Sequence, residues 1–375
     1  LHGRRGLPEA GEVIREQHSC ISQEGRLERG APLFVRLQSG VPAKLGHSCD
    51  TVVTVRVFVF NPRNVCAMPG GITLQLPQFV RREGSSFYFM PREGTGDVQA
   101  CLAALGVSKT LSGRLRAQGR ATIDSGTAEL RIDASVEPVS PHTTSQEPLR
   151  VLYEDDFIIA AEKPSGLLVH GDGTHADTLT GRVEDYLAAG EGVLSPQAAQ
   201  RLDVETTGVV LFSKAVEFQG LFDALVADHA LMEKRYLAMV EGAYPKAHDR
   251  INAALARDRL DARRMRACAP GQGQDALTYV ERLAVTPDGS HSLLLVTLGT
   301  GRKHQIRVHL ASRGFPVVGD TLYGRRGAEQ APLMLHAWRE SFTHPLTGER
   351  VRIESSGYER FAMYVPQIET LLKGR

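Results

Sequence analysis

The chain has 375 residues, of which 42% are hydrophobic, so it has room for two or three domains and a sizeable core. The formal net charge of +1 excludes a bulk polycation, but local basic patches decide whether a protein binds nucleic acid. The five cysteines are dispersed and form no CxxC pair, which argues against a disulfide framework or zinc knuckle and favours a reducing, cytoplasmic compartment. The longest apolar run, at residues 52–60, is too short for a bilayer, so no membrane association is expected.

The first 95 residues show little regular pattern. One strand is predicted near residues 51–60, and no apolar core follows the arginines of residues 1–10, so no secretory signal is expected. The chain begins with Leu1, whereas Met68 and Met90 lie just before the first well-patterned segment. We therefore hypothesise that part of this region is an over-extended start or a fragment. Peptides from before Met68, found in protein from its native source, would contradict this hypothesis.

A helix, helix, hairpin unit is predicted for residues 96–137. Gly106 ends the first helical stripe, and Ser108 can cap a second helix that carries basic residues. A pair of short strands follows within residues 121–132. The unit resembles the small alpha-L RNA-binding domain that often precedes a modification enzyme, although Asp124-Ser125-Gly126 replaces the usual Asn-Gly turn. A plain structural mini-domain is an equally good interpretation of these residues.

Residues 138–148 contain prolines and a Ser/Thr cluster and are interpreted as a linker. From residue 149 to residue 375, short β runs alternate with turns and a few helices, without regular βαβ spacing or an internal repeat. This pattern predicts an α+β fold, in which a mixed, mostly antiparallel sheet is flanked by peripheral helices. This second region is the predicted catalytic domain.

The most informative segment is Arg201-Leu202-Asp203-Val204-Glu205-Thr206-Thr207-Gly208, which is followed directly by an apolar strand at residues 209–212. A rigid strand can fix the position of the Asp203 carboxylate, as covalent catalysis by an aspartate requires. Taken alone, however, such an octet is more often a solvated acidic turn.

A second segment, Gly299-Thr300-Gly301-Arg302-Lys303-His304, places three basic residues before a helix that is predicted at residues 303–313. A metal site is the alternative explanation for its histidines. His304 and His309 are five residues apart, which separates them by about 140° on a helix and puts them on opposite faces of a strand. Neither geometry makes a chelating pair, so no metal site is predicted.

Three further segments have more than one explanation. Tyr236, in a strand predicted at residues 235–241, can stack on a base or belong to the core. Residues 162–170 join a buried strand to a tight Pro/Gly turn, for which turn scaffolding is the simplest explanation. Residues 257–266 hold five arginines and two aspartates, which suits either a phosphate-binding loop or a solvated helix face.

Taken in order, these segments resemble the RluA-type family of RNA pseudouridine synthases. The resemblance spans residues 149–366 and is carried by EKPSGLLVH, RLDVETTG, EKRYLAMVEG, GRKHQIRVHLASRGFPVVGDTLYG and LMLHAWRESFTHPLTGE. It implies an isomerase that converts specific uridines of ribosomal or transfer RNA into pseudouridine and needs no metal or other cofactor. RNA is thus the expected partner, and a monomer is the default expectation.

The resemblance also implies roles for individual residues. Asp203 matches the aspartate that acts on the ribose anomeric carbon of a flipped-out nucleotide. Arg307 matches the basic partner that holds this carboxylate within about 4 to 6 Å and keeps it ionised. Tyr236 matches the tyrosine that stacks on uracil and serves as a later proton acceptor. Arg201 matches an arginine wedge that enters the space left by the nucleotide.

Arg302, Lys303 and His304 are then candidates for contacts with the RNA backbone. Departures from the family pattern occur at Gln200, where His is usual, and at Thr207, where Ser is usual. Lys303 replaces a common Thr, and Gly299 replaces a common acidic residue. We expect these changes to alter which RNA is bound more than they alter catalytic activity.

Two other functions remain open at this point. The first is a catalytically silent RNA-binding protein of the same fold, which the presence of Asp203, Tyr236 and Arg307 disfavours. The second is an unrelated hydrolase that uses Asp203 with His170 or His336 as a base.

Overall fold

A computed structural model describes four short N-terminal strands and residues 76–92, 96–136, 147–171, 177–189, 194–324 and 331–375. The chain divides into two compact units, Leu1–Arg63 and Asn64–Arg375. The first unit contains the antiparallel strands β1 (Phe34–Gln38) and β2 (Thr54–Phe58), the second of which lies in the strand predicted at 51–60. Most of the region before Met68 and most of the predicted linker lie outside the described residues. No helix in these described parts is long and apolar enough to cross a membrane.

The second unit begins with two small antiparallel sheets and two helices. Their bounds are β3 (Val65–Ala67), β4 (Thr73–Gln75), β5 (Gln78–Glu83), β6 (Ser86–Met90), α1 (Val98–Ala104), α2 (Lys109–Ala117), β7 (Ala121–Ile123) and β8 (Leu130–Asp133). β3 pairs with β4, and the other four strands form a sheet in the order β5-β6-β8-β7. The side chains of Asp97 and Ser108 cap the two helices by accepting hydrogen bonds from Ala100 N–H and Leu111 N–H.

The helix, helix, hairpin order expected after residue 96 is therefore present. The sheet also includes β5 and β6, which lie in the region where the sequence showed little pattern, because β6 pairs directly with β8. An RNA-binding role for this small sheet and its helices stays a prediction, as does the domain division at residues 96 and 138.

The larger part of the second unit is a ten-stranded sheet with helices beside it. The strands are β9 (Val151–Glu154), β10 (Ile158–Lys163), β11 (Gln197–Ala198), β12 (Thr207–Ser213), β13 (Met232–Glu241), β14 (His248–Asn252), β15 (Ala254–Arg257), β16 (Met265–Cys268), β17 (Leu277–Val285), β18 (His291–Leu298), β19 (Leu335–Thr343) and β20 (Arg350–Glu354), of which β15 and β16 form a separate hairpin. The helices are α3 (Leu179–Ala188), α4 (Gln219–Ala227), α5 (Gln305–Ser312) and α6 (Ile368–Leu372), with 3-10 turns at Val216–Phe218 and Gly357–Phe361.

The main path of this sheet is β14-β17-β18-β13-β19-β12-β10-β9, with β11 on β12 and β20 on β19. Of the strand pairs described in it, β12 with β19 is the parallel one, and it is only two residue pairs long. The predicted α+β class with a mostly antiparallel sheet is confirmed. The centre of β12 is continuously apolar because Val209 and Leu211 enter one core cluster, whereas Val210 and Phe212 enter another on the opposite face.

Two local predictions need correction. The helix expected from residue 303 begins at Gln305, because His304 has a left-handed backbone with a φ of 55° and occupies the N-cap position. The five arginines of residues 257–266 do not lie on a helix face. They belong to the β15–β16 hairpin and the loop between its strands, where Leu260 is 98% exposed.

An aromatic junction joins the small sheet to the main sheet. Phe87 of β6 lies 4.9 Å from Phe218 and 5.4 Å from Phe157, measured between ring centroids. Phe79 packs edge-on against Phe157 at 4.5 Å. The three residues Phe87, Phe157 and Phe218 have no exposed surface, so the two sheets share one hydrophobic core.

Candidate active site

Asp203 lies in a turn that ends at the start of β12. The Thr206 N–H donates a hydrogen bond to the Asp203 carbonyl at 3.0 Å, which closes the turn. Gly208 follows with a φ of 114°, and a Cβ at this position would overlap the backbone of Ala337 in β19. Glycine is therefore required here, and it lets the two central strands approach closely. The Asp203 side chain remains 25% exposed.

Arg307, on α5, holds the Asp203 carboxylate. Its Nη1 donates to Asp203 Oδ2 at 3.0 Å, so the contact predicted between these residues is present. Its Nε and Nη2 donate to the two oxygens of Asp320, each at 2.8 Å. Burial by itself lowers the pKa of Arg307, but hydrogen bonding and attraction to Asp320, followed by Asp203, outweigh it and raise that pKa. The guanidinium is thus a fixed cation between two acids.

Asp320 was missed in the sequence, although it stands in the segment GDTLYG. Its side chain is fully buried, and besides binding Arg307 its Oδ1 accepts the backbone N–H groups of Leu322 and Tyr323. A buried carboxylate needs such partners, because an unpaired charge is costly away from water. Asp320 therefore fixes the orientation of the Arg307 fork.

His304 approaches the other oxygen of Asp203. Its Nε2 lies 3.7 Å from Asp203 Oδ1, and its Nδ1 lies 2.8 Å from the Tyr323 hydroxyl. Burial lowers the pKa of His304; attraction to Asp203 opposes this effect, and the positive charges of Arg307 and Lys303 reinforce it. The ring is consequently a neutral imidazole at physiological pH.

Tyr236, on β13, lies beside these groups and is 8% exposed. Burial, followed by the nearby acids Glu340 and Asp203, raises the pKa of its phenol. The hydroxyl therefore keeps its proton at neutral pH, while the ring provides a flat apolar face in the cavity next to Asp203.

Lys163 holds the backbone of the Asp203 turn. Its side chain is fully buried, and its Nζ donates to the carbonyls of Pro164 at 2.9 Å and Val204 at 2.7 Å. Burial lowers the pKa of Lys163 to about 8, an effect that attraction to Asp203 partly opposes. The segment read from sequence as turn scaffolding thus ties the Pro/Gly turn to the aspartate turn.

A cavity of about 70 Å³ gathers most of the predicted site residues. It is lined by Arg201, Leu202, Asp203, Thr206, Tyr236, Leu298, Arg302, His304, Gln305, Ile306, Arg307 and Leu335. Lys303 is exposed and is not among these lining residues. A larger cavity of about 280 Å³ is lined by Glu162, Lys163 and Arg360, among others, but not by Asp203. The smaller cavity is the candidate active site, because the carboxylate, its cation and the aromatic face converge there.

Gln200 stands where the resemblance leads one to expect His, and it contacts a buried acid. Its side-chain amide donates to Glu340 of β19, which is 1% exposed. Burial raises the pKa of Glu340 to about 7, although Lys234 and Gln200 oppose the rise. A buried acid that titrates near neutrality therefore lies next to the strand that carries Tyr236.

The other histidines have separate partners. His309 binds Thr278 and the Ala253 carbonyl, while His336 binds Thr207. No hydrogen bond or ion pair within the described residues joins His170 or His336 to Asp203, which removes the geometric basis for the hydrolase alternative. The same residues contain no group of three or more His, Cys, Asp or Glu side chains placed to hold a metal ion.

Comparison with known proteins identifies the family. The profile of the RNA pseudouridylate synthase family matches residues 157–312. Ribosomal large subunit pseudouridine synthase D of Zymomonas mobilis is 32% identical over 234 residues, which cover 58% of this chain and 72% of that protein. The protein of the same name from Xanthomonas campestris is 35% identical over 237 residues, covering 56% and 67%. An uncharacterized RNA pseudouridine synthase of Aquifex aeolicus is 35% identical over 229 residues, covering 57% and 71%.

The range matched by the family profile includes Asp203, Tyr236 and Arg307, the residues that meet at the candidate active site. The chain belongs to the RluA-type family of RNA pseudouridine synthases.

Proposed function

We propose that this pseudouridine synthase modifies uridine in the RNA of the large ribosomal subunit, with Asp203 as its nucleophile. The substrate proposal is supported by the relatives named ribosomal large subunit pseudouridine synthase D. The observation that carries the nucleophile proposal is the Asp203–Arg307 pair at 3.0 Å, in a cavity that also presents the Tyr236 ring.

The proposed binding partner is RNA. The expected oligomeric state is a monomer, and the expected compartment is the cytoplasm.

The chemistry follows from the arrangement of charge. Arg307 orients the Asp203 carboxylate by a hydrogen bond, and the carboxylate attacks the ribose anomeric carbon while the bond from that carbon to uracil N1 breaks. The freed uracil turns, its C5 bonds to the same carbon as the aspartate leaves, the hydrogen on C5 is lost as a proton, and N1 takes up a proton. Atoms balance without a cofactor, because the product is an isomer of the substrate.

The neighbouring residues fit the handling of a flipped nucleotide. A stacked uridine hides its glycosidic bond, so the base must leave the helix before Asp203 can reach it. Tyr236 would stack on the extruded uracil. Arg201, exposed at the rim of the cavity, would fill the space that the nucleotide vacates.

Phosphate contacts would come from the basic residues outside the cavity. Arg302 and Lys303 are exposed beside it. The β15–β16 hairpin is tied to the same region, because the Met265 N–H donates to the Tyr323 hydroxyl at 2.8 Å. Its arginines would contact the RNA backbone.

The test is release of tritium from RNA that carries label on uracil C5. Wild-type protein is expected to release label from large-subunit ribosomal RNA, and Asp203→Asn, which keeps the shape of the side chain, is expected to release none. Asp203→Ala should also be inactive while binding RNA within about tenfold of wild type, because few phosphate contacts are lost.

Near-normal turnover of either Asp203 variant would contradict the nucleophile assignment. Release from transfer RNA alone would contradict the substrate proposal. RNA binding without any release by the wild-type protein would favour a catalytically silent RNA-binding protein.

A further inference from the structure

His304 sits between two polar groups of the active site. Its backbone has a φ of 55°, which is uncommon for a residue with a Cβ. Nδ1 faces the Tyr323 hydroxyl at 2.8 Å, and Nε2 faces Asp203 Oδ1 at 3.7 Å. The side chain is 10% exposed, so both contacts are largely shielded from solvent.

The direction of hydrogen bonding follows from the second partner of Tyr323. The Met265 backbone N–H points at the Tyr323 hydroxyl oxygen from 2.8 Å, and a backbone N–H can only donate. The Met265 N–H cannot accept the hydroxyl proton, so of these two partners only His304 Nδ1 can accept it. A neutral imidazole that accepts at Nδ1 carries its proton on Nε2, the nitrogen that faces Asp203.

We propose that Tyr323 is a positioning residue, whose hydroxyl sets the tautomer of His304 so that Nε2–H is directed at Oδ1 of Asp203. This proposal rests on the function proposed for Asp203. It directs an N–H dipole at Oδ1 of Asp203 from 3.7 Å, whereas Arg307 hydrogen-bonds Oδ2. His304 then acts on the nucleophile instead of on the RNA backbone.

The same tyrosine links the carboxylate to the arginine-rich hairpin. The Cζ atoms of Arg307 and Arg264 lie 5.4 Å and 5.3 Å from the centre of the Tyr323 ring. Tyr323→Phe keeps this ring and removes only the hydroxyl, so it separates the hydrogen-bond chain from the packing.

The kinetic test compares Tyr323→Phe with wild type in the tritium-release assay. We expect kcat to fall about tenfold, because His304 no longer directs an N–H at the Asp203 carboxylate. The KM for RNA reports separately on the Met265 hydrogen bond, which Tyr323→Phe also removes. Tyr279→Phe is the matched control, since Tyr279 is 44% exposed on β17 and should leave both constants unchanged. If the wild type is active and Tyr323→Phe has an unchanged kcat, the inference about Tyr323 is overturned, whereas the proposed function is not.

A spectroscopic test needs no turnover. Nitrogen-15 NMR of histidine-labelled wild-type protein should show His304 as the Nε2–H tautomer, with its signals assigned by their absence in His304→Gln. Tyr323→Phe should shift this population toward the Nδ1–H form. A wild-type Nδ1–H tautomer would overturn the inference even if Tyr323→Phe failed to fold. Absence of wild-type tritium release would instead overturn the proposed function.

Discussion

The Asp203 site and the aromatic junction are held together by different forces. At the site, Arg307, Asp320 and Lys163 fix the turn through directed hydrogen bonds of 2.7 to 3.0 Å. At the junction, Phe87, Phe157 and Phe218 pack through apolar surface, which has little directional preference. Arg120 also crosses the junction to the buried Glu217 at 3.1 Å. The site therefore specifies the positions of atoms, whereas the junction mainly supplies stability.

The largest expected effect is on the junction. Phe218→Ala should lower the free energy of unfolding by about 4 kcal/mol, because it removes a fully buried ring and leaves a cavity. At temperatures where the variant is folded, kcat and KM should match wild type, since Phe218 does not line the Asp203 cavity. Urea unfolding and tritium release measure the two quantities.

Met363→Ala is the control for this change, because Met363 is 79% exposed and its loss should cost little stability. A large fall in kcat for folded Phe218→Ala would show that the junction also positions the site, and the comparison between the two regions would break.

The second expected effect is at the site. Arg307→Lys keeps a positive charge but loses the planar fork that reaches Asp203 and Asp320 together. We expect kcat to fall about 100-fold, equivalent to about 2.7 kcal/mol of activation free energy. Arg313→Lys, at the end of the same helix with its side chain 46% exposed, should retain wild-type kcat. Equal activity of the two variants would show that charge alone is sufficient.

The third expected effect appears only as the pH changes, and it concerns Glu340, a buried acid on the strand next to that of Tyr236. Glu340 has a pKa raised by burial from 4.5 to about 7, so between these values the folded protein holds a proton that the unfolded chain has lost. Its contribution to stability is fully present below pH 4.5 and is lost as the pH rises through 7.

Glu340→Gln should remove this loss, which is on the order of 3 kcal/mol between pH 4.5 and 8. Urea unfolding of both proteins at several pH values from 4.5 to 8 is the measurement. Parallel pH profiles for wild type and variant would mean that another group causes any decline.

The sequence was sufficient to predict site residues that stand in recognisable motifs. It was not sufficient to predict the distant residues that the fold brings into contact with them. Asp203 and Arg307 are 104 residues apart, and their contact was expected only because both stand in segments that resemble one family. Nothing local indicates that Asp320 turns back onto Arg307, or that the Lys163 ammonium reaches the Val204 carbonyl. The strands β5 and β6 were missed because both are short and β5 carries several polar residues.

The seam between β12 and β19 has a consequence for how the protein folds. On one side of this two-residue parallel pairing lie β9 to β12, which deliver Asp203; on the other side lie the strands and helix that deliver Tyr236 and Arg307. Neither side contains a complete site, and the contacts across the seam close long loops, which slows folding. The active site is complete only after the two sides have docked. In a refolding experiment, recovery of activity therefore reports the end of folding and not its beginning.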